Sequence, residues 1–250
     1  PLQSITLPEG ITAINKGAFY YCSELTSVNL PSTLTALEYM AFNGCKKLNE
    51  ISLPNGLCRI GEHAFSDCGI ENIVIPGSVR EIEEGAFGSC FKLKSVTIEE
   101  GVEYISKSMF STCINLTDIT IPSTITSIED GGFFQCESMS NLPHFENVKN
   151  IGEMAFGHCY KLTDITIPNC VETIGLETFT WCKNLKKVVI GSGVTTIKRG
   201  AFSVCPSLDD VTIGDSVKVI ENGAFATTAI SEITIPDSVE QISGAFSECH

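Results

Sequence analysis

The twelve cysteines are the residues of this chain with the most chemistry to offer. As thiolates they could hold a metal or attack a carbonyl, and in pairs they could cross-link the fold. Ten of them (Cys22, Cys45, Cys68, Cys90, Cys113, Cys136, Cys159, Cys182, Cys205 and Cys249) each stand three residues after a phenylalanine. In one place, Phe225-Ala226-Thr227-Thr228, the same position carries Thr228 without loss of the surrounding pattern. A position that accepts Thr behaves as a small buried filler rather than an obligatory cross-link. Neighbouring repeats could bring these sulfurs within bridging distance, yet mostly free, buried thiols are the better reading. Cys58 and Cys170 lie outside the column, and the spacing leaves their redox state open. No Cys-x-x-Cys occurs, and one donor per repeat spreads ligands along a line instead of around a point, so no metal site is expected.

The other reactive side chains are no better organised. His63, His144, His158 and His250 share no strand or helix spacing. His158 and Cys159 are adjacent, but a core-facing Cys159 turns its neighbour outward. Carboxylates and hydroxyls are plentiful enough for chance triad-like clusters. There is no Gly-rich phosphate loop. The chain reads as a non-enzyme without a cofactor.

What must position every side chain is a repeat. Phe19, Phe42, Phe65, Phe87, Phe110, Phe133, Phe156, Phe179, Phe202, Phe225 and Phe246 are 23 residues apart in eight of ten intervals, with 22 after Phe65 and 21 after Phe225. A period of this length predicts a stacked solenoid. Within one repeat, Val28/Leu30 or Ile165/Ile167 alternate with polar residues, the pattern of a half-buried strand. Pro31 or Pro168 ends that strand, because proline has no N–H to donate. An apolar pair three apart follows (Val79/Ile82, Val217/Ile220), then a compact Ala-Phe-x-x-Cys turn, too short for an independent helix. No repeat can cover its own apolar side, so stacking is the only way to bury it.

The motif Leu-x-x-Ile-x-Ile-Pro-x-x-Val-x-x-Ile-x-x-x-Ala-Phe-x-x-Cys, as in Leu116, Ile119, Ile121, Pro122, Ile125, Ile128, Phe133 and Cys136, resembles the leucine-rich repeats in their BspA-like bacterial surface form. The resemblance runs from Leu2 to Cys249. It implies an α/β-type, strand-rich solenoid: a right-handed arc with a concave parallel sheet and short 3-10 or helical turns, or short strands, on the convex side. It also implies a cell-surface or secreted protein, with adhesion to host or matrix proteins as the commonest role.

The 250 residues are read as a single domain of about eleven repeats without a linker. No stretch of 18 apolar residues occurs, so no membrane insertion is expected here. A repeat strand begins at Leu2 and the chain stops inside a turn at His250, which reads as a fragment of a longer ectodomain, with signal and anchor outside it. The net charge of −14 excludes nucleic acid and anionic membrane surfaces, both of which need a basic footprint. The expected partner is a protein or glycoprotein.

Two surfaces are candidates for it. Outward strand positions form one column containing Thr97, Thr120, Thr166 and Thr212, and a second containing Asp118, Asp164, Asp210 and Glu232. Stacked at about 4.8 Å, these would make a flat Thr/Asp platform offering acceptors to Lys, Arg or sugar hydroxyls, although Thr is also simply a good strand former. The edge just after the Cys turn carries Phe91, Ile114, Tyr160 and, nearby, Trp181, residue types enriched at interfaces. One repeat departs from the rule: Pro143 falls inside the strand and His144 replaces an aliphatic residue, so disturbed pairing is expected, with Phe145 slipping inward to refill the core. A binding module is the leading reading; a structural spacer or stalk with no ligand of its own is the alternative.

Overall fold

A computed structural model describes residues 1–145 and 147–249. Its contacts gather into two compact units, 1–125 and 126–250. Both are built the same way, as parallel-strand solenoids. Each coil has three sides, and sides of one kind bond from coil to coil, with interruptions on the strand side.

The first side carries the longer strands. In the first unit Ser4–Thr6, Ser27–Asn29 and Glu50–Ile51 pair in parallel, as do Asn72–Ile75, Ser95–Ile98 and Asp118–Thr120. In the second unit Asp164–Ile167, Lys187–Ile190 and Asp210–Thr212 form one sheet. Registers follow the repeat: Val96 opposes Ile119, and Ile165 opposes Val188. Alternation puts Val28, Val96, Ile165 and Val188 inside and their neighbours outside. The second side carries two-residue strands. Ala13–Ile14, Ala36–Leu37, Arg59–Ile60 and Glu81–Ile82 pair in the first unit, and Thr196–Ile197, Val219–Ile220 and Gln241–Ile242 in the second.

The third side is the phenylalanine turn, and here the expectation of helical or 3-10 turns fails. Among the described residues there is no helix of any kind. The residue two before each repeat Phe and the residue two after it both have positive φ, from Gly17 and Tyr21 around Phe19 to Gly244 and Glu248 around Phe246. Left-handed residues four apart leave no run of right-handed backbone long enough for a helix. The turn instead bonds outward. The Phe156 N–H donates to the Thr178 carbonyl at 2.9 Å, Met154 to Leu176 at 2.9 Å and His158 to Thr180 at 2.9 Å, and the other turns repeat the pattern. Short strands on the second side, the other expected possibility, are present.

The core runs through the middle of each unit. In the first, rings Phe19, Phe42, Phe65, Phe87 and Phe110 stack with centroids 4.9, 5.4, 5.3 and 5.8 Å apart. In the second, Phe133, Phe156, Phe179, Phe202, Phe225 and Phe246 stack at 5.3 to 5.4 Å. Interplanar angles between 1° and 19° make these offset parallel stacks, favourable for aromatic quadrupoles.

The strand side breaks where the repeat loses a residue. Cys45 to Glu50 is five residues, but Cys68 to Asn72 is four, and there the sheet divides. Thr228 to Glu232 is also four, and residues 231–236 form no strand. A coil one residue short cannot hold both the turn and the strand in register with its neighbour. Residues 141–145 likewise contribute no strand, consistent with a proline that removes a ladder donor. Phe145 is buried there, its ring 6.2 Å from Phe156.

Candidate functional site

The cysteine column has a specific structural use. Cys45, Cys68, Cys90 and Cys113 point their thiols at the carbonyls of Phe19, Phe42, Phe65 and Phe87, at 3.1 to 3.2 Å. Cys159, Cys182, Cys205 and Cys249 do the same to Phe133, Phe156, Phe179 and Phe225, at 3.2 to 3.4 Å. Thr228, which fills the same position, departs from this: its hydroxyl donates to the Phe225 carbonyl of its own coil at 2.9 Å, three residues earlier. No disulfide joins any of the twelve cysteines. Burial pushes Cys90, Cys159 and Cys205 up to about 12, so the thiolate needed for chemistry is suppressed. Among the described residues no three His, Cys, Asp or Glu side chains gather closely enough to hold a metal ion. No helix among them is long and apolar enough to cross a membrane.

The Thr/Asp platform is present as surface, divided between the two units. In the first, Thr97 pairs in register with Thr120 and Asp118 with Ser95, and Thr97, Asp118 and Thr120 are exposed. The Asp118 carboxylate already accepts a 2.7 Å bond from the Thr117 hydroxyl. In the second unit Thr166, Val189 and Thr212 share one column, and Asp164, Lys187 and Asp210 the next. Lys187 Nζ lies 2.6 Å from the Asp210 carboxylate, so a lysine of this chain already occupies an acceptor offered to a partner. The strand expected at Glu232 is absent: the residue is exposed and lies in segment 231–236, which forms no strand. Sequence reasoning also passed over a hollow in the first unit, of about 1110 Å³, whose lining includes Ser27, Asn29, Glu50, Ser52 and Asn72. Its signal was available as the same outward columns, read before their Thr and Asp positions begin.

The edge residues divide. Phe91 is 45% exposed and Trp181 is 42% exposed, while Ile114 and Tyr160 are half-buried. In the second unit the repeat spacing brings several rings together. His158 and Trp181 occupy equivalent positions one repeat apart and stack at 5.7 Å with an interplanar angle of 10°. Phe134 meets His158 edge-on at 5.2 Å. The Tyr160 hydroxyl lies 3.0 Å from His158 Nδ1. The Lys183 ammonium sits 4.5 Å from the Tyr160 ring centroid and 5.7 Å from that of Trp181, within cation–π range. Burial first, then the Lys183 charge, holds the His158 imidazole below its ordinary range. Lys183 falls in the same edge column as Phe91, Ile114 and Tyr160, whereas His158 was not among the expected site residues; the signal that could have found it is the 23-residue offset linking it to Trp181.

Comparison with known proteins agrees with this architecture. A leucine-rich repeat protein from Bacteroides ovatus is 27% identical, with a TM-score of 0.76 over 99% of this chain and 76% of that one. One from Eubacterium ventriosum shares the fold at 23% identity and a TM-score of 0.59, over 99% of this chain and 82% of that one. A leucine-rich cell surface protein of Faecalibacterium prausnitzii, 23% identical, superposes with a TM-score of 0.51 over 96% of this chain and 87% of that one. No curated protein matches the chain. Residues 12–140 and 126–250 match the BspA type leucine rich repeat region, in six copies. The chain belongs to the BspA-type leucine-rich repeat family.

Proposed function

We propose that this chain is a non-enzymatic protein-binding module of a bacterial cell-surface or secreted protein, contacting a host or matrix protein. The observation that carries the reading is the division of labour in each coil. Reactive thiols are buried against backbone carbonyls, while the side chains left outside stand in straight, regularly spaced rows. Such rows suit extended surface contact rather than a converging set of catalytic groups. The surface assignment draws support from family membership and from the F. prausnitzii relative described as a cell surface protein. Thr97, Asp118, Thr120, Asp164, Thr166, Asp210 and Thr212 are the strand-side contact residues in this reading. Phe91, Ile114, Tyr160 and Trp181 supply the edge, and Glu232 flanks the rows.

The test is a pulldown from extracellular-matrix and serum proteins, repeated with charge swaps at Asp118, Asp164 and Asp210. A module binding through its strand side retains a partner, loses it on charge reversal, and weakens with salt. If no protein is retained across the panel, the chain is a spacer.

A further inference from the structure

The second unit carries an aromatic edge with three exposed lysines and a nearby carboxylate, Glu137, in a chain of net charge −14. Most lysines here are neutralised: Lys46, Lys47, Lys94, Lys107, Lys149, Lys187 and Lys218 each have a carboxylate within 4 Å. Lys161, Lys183 and Lys186 are exposed, and no ion pair joins them to a described residue. They lie on adjacent coils, since the Lys186 N–H donates to the Thr163 carbonyl at 2.7 Å and Asn184 Nδ2 to the Tyr160 carbonyl at 2.7 Å. Beside them is the exposed Trp181, the only tryptophan of the chain. Its φ of 62° is a conformation that bulky residues seldom take, at a position where another coil places Gly44. A positive φ recurs at this position in every coil, Tyr21 and Val204 included, so the turn imposes it; what points to a use outside the fold is the large ring left exposed there.

We infer that this edge of Tyr160, Lys161, Trp181, Lys183 and Lys186 binds an acidic peptide segment of a protein partner, one in which a carboxylate neighbours an aliphatic or aromatic side chain. The apolar side chain packs on Trp181 and Tyr160, residue types that dominate interface energetics. The carboxylate takes the Lys183 ammonium, whose present neighbours are ring faces. Because the rest of the chain is acidic, such a segment is repelled elsewhere, and the contact is therefore specific in position. The inference deepens the binding-module reading and rests on it.

The test is an array of equal-length peptides carrying Asp or Glu beside Leu or Phe, with matched arrays bearing Asn or Gln, or Lys, in place of the acid. The probes are the full chain and its Lys183→Glu and Trp181→Gly variants, with thermal melts showing that each variant is folded; glycine suits the positive φ at 181. Retention of acidic over neutral peptides is expected, with a loss of about tenfold or more in both variants, the scale of interface hot spots. Equal retention of acidic and neutral peptides, or binding untouched by Lys183→Glu, overturns the inference. A triple variant Asp118→Asn, Asp164→Asn, Asp210→Asn separates the two ideas. If the pulldown partner is lost in that variant but kept in Lys183→Glu, the edge assignment fails and the binding module stands. If neither peptide nor protein is retained by any form, both fail.

Discussion

The Cys182 thiol donates a 3.3 Å hydrogen bond to the Phe156 carbonyl of the preceding coil, tying a small core side chain to the backbone of one of the largest. The bond explains why cysteine recurs: the site needs a small, weakly polar donor, and the thiol satisfies a carbonyl without a bulky or strongly hydrated group. Cys182→Ala should therefore destabilise by about 1–2 kcal/mol, combining a lost bond with a small cavity, and Cys182→Ser by less if the hydroxyl reaches the same carbonyl. Chemical denaturation of the two variants measures the difference.

The same burial predicts redox inertness. With Cys90, Cys159 and Cys205 held at about 12, native protein should react with a thiol-specific alkylating reagent at the exposed Cys58 and stay unmodified through the buried column at pH 8. Mass spectrometry after native and denatured labelling reads this directly. Rapid native labelling of Cys90 or Cys159 would contradict it.

Phe156→Ala should cost about 3–5 kcal/mol, since the ring is fully buried and stacks on both Phe133 and Phe179. Each coil bonds to its neighbours, so protection from hydrogen exchange should fall first around residues 133–182 rather than uniformly. Equal loss of protection across residues 126–249 would argue against nearest-neighbour stability.

The left-handed positions give a backbone test. A methyl built on Gly223 would meet nothing closer than the Ala226 Cβ at 3.8 Å, so Gly223→Ala probes the φ of 66° with no steric clash. It should destabilise by about 1 kcal/mol. At Val204, a β-branched residue with φ of 54°, replacement by Gly should be neutral or stabilising by up to about 1 kcal/mol, as strain relief of about 1–2 kcal/mol is offset by glycine entropy. Thermal melts of the pair should move in opposite directions or leave only the alanine variant shifted.

Arg59 gathers Glu38, Glu81 and Glu83 around one guanidinium, with Glu83 closest at 2.6 Å. That hydrogen bond lowers the Glu83 carboxyl below its ordinary value of 4.5. A depressed carboxylate stabilises the fold above its unfolded value, and the contribution disappears as pH falls through the folded one. Stability should thus decline as pH drops below about 4.5, and Arg59→Ala should flatten that decline while lowering stability at neutral pH. Arg59 and Glu83 keep 36% and 33% of their side-chain surface exposed, so solvent screens the pair, and the effect should be small and should shrink in salt.

The repeat, the inward strand positions and the stacked phenylalanines were legible in the sequence because apolar residues recur at fixed spacing and can be buried only by neighbouring coils. Cys159 inside and His158 outside followed from that spacing too. The deletions after Cys68 and Thr228 were visible as a shortened interval, but their effect, a divided sheet and a strandless Glu232 segment, depends on how far a coil can stretch before its hydrogen bonds to the next one fail. The turn conformation was missed for a different reason. Glycine at 17, 85, 131, 200, 223 and 244 hints at positive φ before each phenylalanine, yet Met40, Met154 and Glu177 occupy the same place, so intrinsic preference is overridden by the amides that must reach the next coil. The aromatic edge belongs to the same category: His158, Tyr160, Trp181 and Lys183 are scattered along the chain, and only stacking at one repeat's offset turns them into neighbours. Periodicity determined which side chains are buried; the backbone ladders between coils decided which exposed ones meet.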